Sequence, residues 1–108
     1  MNPAEHHCHA EDCAIAVPPR MFMHRAHWFM VPSHLRTALW KEYQPGQERR
    51  KNPTGAYCVA AERCICAVAV KEGRIDQAEA DRRIAHWVER AAEIDEMFGH
   101  KSAAEEAD

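Results

Sequence analysis

The stretch YCVAAERCICAVAV, residues 57–70, has Glu62 and Arg63 as its only charged side chains. Thr54 stands just ahead of it, after Pro53, where a hydroxyl can cap a helix N-terminus. Gly73 stands just beyond, where a helix can end. These signals predict a helix over 54–72. A helix apolar nearly all round must be covered on more than one side. The rest of the chain has to supply that cover.

On the C-terminal side the short link KEGRID, residues 71–76, leads into a second helix over 76–98. Its Ile84, Trp87, Ala91, Ile94 and Phe98 recur at three-four spacing, a narrow stripe suited to an antiparallel partner. The two segments read as a helical hairpin, with Trp87 and its stripe in the core. HKSAAEEAD, residues 100–108, reads as a frayed acidic tail. Cys58, Cys64 and Cys66 fall in the apolar helix. Cys64 and Cys66 point about 200° apart by helix geometry, so they cannot hold one ion together and read as core thiols.

On the N-terminal side QPGQERRKNP, residues 44–53, is a polar, locally basic connector. Before it, a helix over 33–43 is expected, with Ser33 as N-cap, Leu35, Leu39, Trp40 and Tyr43 on its apolar face, and Pro45-Gly46 as its stop. Residues 1–31 lack helical periodicity and contain Pro3, Pro18 and Pro19; they read as loop with at most short strands or a turn. The fold class is therefore mainly α in one domain: a loop module packed on three helices, two of them an antiparallel hairpin.

The loop holds the candidate site. Cys8-x4-Cys13 lets a short turn bring two sulfurs to one ion, and His24-x2-His27 places two imidazoles one turn apart. Zinc favours four tetrahedral thiolate and imidazole ligands, so Cys8, Cys13, His24 and His27 are read as binding one structural Zn2+. The spacing C-x4-C-x10-H-x2-H is shorter in its last gaps than a ββα finger's, which excludes that fold. His6, His7 or His9 could replace His24. Almost no core of its own is legible in this segment, so an ion would order it.

The run CHAEDCAIAVPPRMFMHRAHWFMVPSHLRTALWKEYQPGQ, residues 8–47, resembles small, mostly uncharacterised zinc-binding-type proteins of phages, prophages and other mobile elements. Cys8, Cys13, His27-Trp28, Val31-Pro32, Leu35, Trp40, Tyr43 and Pro45-Gly46-Gln47 carry the resemblance. His24 stands where those relatives have cysteine, which changes a Cys3His site to Cys2His2 without abolishing it. The resemblance implies a metal-binding protein acting on a host, for instance as an inhibitor of a defence complex such as CRISPR.

Composition narrows the functions. The chain has 108 residues, 14 Lys+Arg against 17 Asp+Glu, and a net charge of −3. The acidity lies in the C-terminal half, which argues against a dominant nucleic-acid or membrane footprint. No signal peptide or bilayer-length apolar run is present, so a cytoplasmic location is expected. Five cysteines without secretory context favour thiols or thiolate ligands over a disulfide framework.

Glu11 and Asp12 sit inside the ligand loop, where a zinc hydrolase would keep its base. Four ligands leave no open position, however, and no H-E-x-x-H occurs. The reading is a non-enzymatic, zinc-stabilised interaction protein that docks on a host protein complex by its acidic hairpin or by an aromatic edge around Trp28 and Trp40. Second comes a nucleic-acid-binding regulator using Arg36, Lys41, Arg49, Arg50 and Lys51. A hydrolase is a distant third.

Overall fold

A computed structural model describes residues 6–100. The acidic tail over 101–108 lies outside the described residues. The chain is mainly helical: α1 spans Arg25–Trp28, α2 Ser33–Glu42, α3 Gln47–Arg50, α4 Gly55–Lys71 and α5 Gln77–Met97. The described residues form no strand, only one isolated antiparallel bridge between His7 and Ala16. No described helix is long and apolar enough to cross a membrane.

α4 is the central element, as its composition requires. Thr54 Oγ1 accepts a hydrogen bond from the Tyr57 N–H at 3.0 Å and starts it. Gly73, at φ +72°, stops it: its own N–H reaches the Val70 carbonyl and the Arg74 N–H reaches that of Ala69. This double closure needs a left-handed residue, which glycine supplies without a Cβ penalty. Asp76 then caps α5 by accepting from the Glu79 N–H at 2.8 Å. α5 returns antiparallel along one side of α4, and α2 covers another. Both sides of the apolar helix are thus occupied.

The hairpin closes tightly at the start of α4. A Cβ built on Gly55 would lie 2.1 Å from the Ala91 carbonyl oxygen of α5, so this close approach demands glycine. The same Gly55 donates its N–H to Asp95 Oδ1 at 2.7 Å, which satisfies a helix-end donor from across the interface. Further along, the buried Glu62 accepts from Arg83 Nε at 2.9 Å, and the Cys66 thiol donates to it at 3.3 Å. Cys64 and Cys66 are core thiols, each almost wholly enclosed. Burial pushes the Cys64 thiol up to about 11; burial and the neighbouring Glu62 push Cys66 up to about 12. Cys58 is half-buried.

Several boundaries and faces differ from expectation. Pro32, not Ser33, is the N-cap of α2, and Ser33 is its first helical residue. Proline has no side-chain acceptor, and its carbonyl instead accepts from the Leu35 and Arg36 N–H groups at 3.0 and 3.1 Å. The connector over 44–53 contains the short α3, bounded by left-handed Gly46 and Lys51. On α5, Ile94 is buried and Ile84, Trp87 and Ala91 are partly buried, but Phe98 is 40% exposed. Phe98 is the C-cap of α5, where the helix has already run past its partner. Trp87→Ala should therefore cost roughly 1–3 kcal/mol, below the about 3–5 kcal/mol of a fully buried Trp. Thermal melting, with molar mass unchanged, checks this.

The N-terminal loop is not coreless. Cys8, Ala10, Phe22, Met23 and Val31 are buried, and they form one cluster with Leu39 of α2 and Ala60, Cys64 and Val68 of α4. Residues widely separated along the chain share this core, which is why periodicity could not reveal it.

Candidate metal centre

The local backbone first explains how the four candidate ligands meet. The Cys8 N–H bonds to the Ile15 carbonyl and the Val17 N–H to that of His6, closing a loop across the His7–Ala16 bridge. At its tip the Cys13 N–H bonds to the Ala10 carbonyl, and Asp12 takes the left-handed conformation at φ +59°. That turn folds Cys13 back towards Cys8. His24 is the N-cap of α1 and His27 lies within it, so one helical turn sets their rings side by side with centroids 4.5 Å apart.

The ligand atoms of Cys8, Cys13, His24 and His27 all lie within 4.8 Å of one another. Cys8 Sγ is 3.5 Å from His27 Nδ1, and Cys13 Sγ is 3.5 Å from His24 Nδ1. Two sulfurs and two imidazole nitrogens converging in this way form a site that could hold one metal ion. Burial pushes the Cys8 thiol up, a tendency that a cation at the centre of the four would oppose. His24 belongs to the cluster. The alternatives do not: His6 and His9 pair with each other, Nε2 to Nε2 at 3.0 Å, and His7 lies at the bridge.

An outer layer of contacts was not legible in the sequence. His27 directs Nδ1 at the cluster and donates Nε2–H to Glu72 Oε2 at 3.0 Å. This arrangement selects the tautomer a ligand requires and orients the ring. Glu72 is the C-cap of α4, within a link that reads only as a turn. Hydrogen bonds from His27 and Arg74 hold its carboxyl below the usual carboxylate range, and Glu72 in turn raises Arg74. Glu72→Gln should weaken metal binding about 10–100-fold, as loss of outer-layer partners does. Competition with a chromogenic chelator measures it.

Glu11 and Asp12 have partners of their own. Arg83 Nη1 bonds to Glu11 Oε2 at 3.2 Å while its Nε holds Glu62, and Arg74 Nη1 reaches Asp12 Oδ2 at 3.4 Å. The two acids fasten the ligand loop to the hairpin. Lys71 adds another tie by donating to the Met30 carbonyl.

Trp28 is partly buried, while Trp40 is 46% exposed. Trp28 begins a chain of aromatic contacts through Trp40, Tyr43 and Tyr57, with centroids 6.0, 5.4 and 6.4 Å apart. Phe29, next to Trp28 in sequence, is 60% exposed, with the Arg25 and Arg36 guanidiniums 5.4 and 5.3 Å from its ring centre.

The five basic residues have separate settings. Arg36 donates to the Val31 carbonyl beside Phe29, and Lys41 is exposed near the end of α2. Arg49 is exposed on α3, and Arg50 donates to the Pro45 carbonyl. Lys51 lines a cleft with Trp40.

Comparison with family models, with curated proteins and with solved structures finds no match for this chain.

Proposed function

We propose that this protein is a non-enzymatic binding module, stapled by one structural zinc ion, that acts by docking on another protein. The ligand geometry carries the reading. With Zn–S bonds of about 2.3 Å and Zn–N bonds of about 2.0–2.1 Å, a tetrahedral ion sets sulfur and nitrogen about 3.5–3.6 Å apart. Two of the four sulfur–nitrogen pairs, Cys8–His27 and Cys13–His24, stand at 3.5 Å, and all four ligand atoms lie within 4.8 Å of one another. All four corners are then side chains, leaving none for water or substrate, as in structural zinc sites. Glu11 and Asp12, the acids nearest in sequence, serve as ion-pair partners.

The docking surface is the Phe29 face. An exposed ring between two guanidiniums combines apolar area with positive charge, a pairing favoured at interface anchors. The resemblance to mobile-element proteins supplies the setting: a host complex, such as a CRISPR or other defence assembly, met in the cytoplasm.

Immobilised protein should retain a specific host protein from lysate, and nuclease treatment should leave that retention intact. Arg25→Glu with Phe29→Ala should reduce it about tenfold while the melting temperature stays within a few degrees. Retention by the double variant, or its loss on nuclease treatment, overturns the reading.

The nucleic-acid alternative makes a separate prediction. Backbone contacts by Arg36, Lys41, Arg49, Arg50 and Lys51 would give affinity falling steeply with salt, flattened by alanine at those positions. The expected result is no specific duplex binding near physiological salt, measured by fluorescence anisotropy.

A further inference from the structure

A cleft of about 230 Å3 lies where the N-terminal loop meets α2, α3 and the start of α4. Phe22, Trp40, Tyr43 and Tyr57 give it aromatic walls, and Pro19 and Pro53 also line it. The rings are set at steep angles, 84° between Trp40 and Tyr43 and 55° between Tyr43 and Tyr57. Rings at such angles and distances pack against one another and form a continuous aromatic surface. Its charge is one-sided: Arg20 and Lys51 line it, and no described Asp or Glu does, in a chain whose acids outnumber its bases. His6, also on the wall, has a buried Nδ1 without a hydrogen-bond partner.

We propose that this cleft binds a proline-containing peptide segment in the polyproline II conformation, with an acidic side chain beside the prolines. The proposal rests on the reading of this protein as a protein-binding module and names the chemistry of its partner. An aromatic-lined groove receives the flat, stiff rings of such a segment, whose ordering entropy is already low. Its carbonyls have no internal hydrogen bonds, so one is available to a His6 Nδ1–H. Arg20 and Lys51 select the acidic flank.

A free nucleotide would use the same aromatic and basic groups. Pockets that engulf small ligands run to roughly 300–1,000 Å3, however. This cleft suits a few side chains laid across it better than a whole molecule enclosed. A nucleic-acid strand would further meet the acidic C-terminal half of the chain.

The test titrates the intact, metal-loaded protein with a capped peptide of six prolines bearing a glutamate at each end. Controls are its lysine-ended and glycine counterparts and adenosine monophosphate. The readout is the chemical shift of the Trp40 indole and of the Tyr43, Tyr57 and Lys51 amides. Saturable shifts there, with the glutamate-ended peptide binding about tenfold tighter than the lysine-ended one, support the proposal. Arg20→Glu with Lys51→Glu should reverse that order, and both positions are exposed enough to spare the fold.

Absence of saturation at millimolar peptide, equal binding of the glycine counterpart, or tighter binding of the nucleotide overturns it. If the peptides fail while the Phe29-dependent capture persists, the cleft assignment falls and the docking function stands. Loss of that capture as well removes both.

Discussion

Cys8→Ser is expected to abolish metal binding and to unfold the N-terminal module. Cys8 Sγ occupies one corner of the cluster, 3.5 Å from His27 Nδ1, and a serine hydroxyl cannot replace a thiolate at zinc. The residue is also 4% exposed within the cluster that joins the loop to α2 and α4. Structural zinc in small fingers contributes about 10–16 kcal/mol of binding free energy at pH 7. Whole small domains have stabilities of only about 5–15 kcal/mol. Losing the ion is therefore comparable to losing the fold of everything it orders.

Elemental analysis of protein purified without a metal-affinity tag should give about one zinc per chain, and near none after Cys8→Ser or Cys13→Ser. The melting temperature should fall sharply in both. Cys64→Ser is the control: it disturbs an enclosed thiol that donates to the Leu35 carbonyl but leaves the ion bound. Metal-free wild type that keeps its melting temperature would sink the staple.

The second large effect is expected from one methyl group. In Gly55→Ala the new Cβ would stand 2.1 Å from the Ala91 oxygen, 2.6 Å from its carbonyl carbon and 2.7 Å from its Cα. All three are backbone atoms of α5, so no rotamer change relieves the clash. The helices must separate, which also pulls Asp95 from the Gly55 N–H it holds at 2.7 Å. Overpacking that side chains can absorb costs about 1–3 kcal/mol. Here the loss of a buried hydrogen bond adds about 1–3 kcal/mol. Thermal or urea unfolding should show a destabilisation near the sum, enough to unfold much of the population. Gly73→Ala is the comparison, since it has a left-handed backbone but nothing within 4 Å. It should cost only about 1–2 kcal/mol. Equal stability of the two variants would contradict the close hairpin.

The site divides in the same way as these two predictions. Cys8, Cys13, His24 and His27 were legible because thiols and imidazoles at turn-length spacing have few other uses together. Their outer layer was not. Glu72 reads as a polar residue in a turn, and Arg83 as one of several charges on an exposed face. Each gains its role from a contact 45 and 72 residues away in the chain, to His27 and to Glu11. No local pattern encodes such a pairing. His6 and His9 illustrate the converse, since they looked like spare ligands until the loop turned them towards each other and the aromatic cleft.

By itself the sequence determined the helical class, the hairpin order, the cap at Thr54, and the four Cys and His side chains that the loop collects into a potential metal site. These depend on nearest-neighbour chemistry: a hydroxyl three residues before an N–H, an apolar run with no face for water, sulfur and imidazole held a turn apart. Tertiary structure alone decided how closely α4 and α5 approach at Gly55, which side chains share the core with the ligand loop, and which aromatics remain exposed. Trp28 and Phe29 are neighbours in sequence, yet one is packed against Trp40 and the other lies 60% exposed between two arginines. Adjacent residues on a helix point about 100° apart. Which of the two directions meets protein and which meets solvent depends on where α2 and α4 lie, and only the folded chain places them.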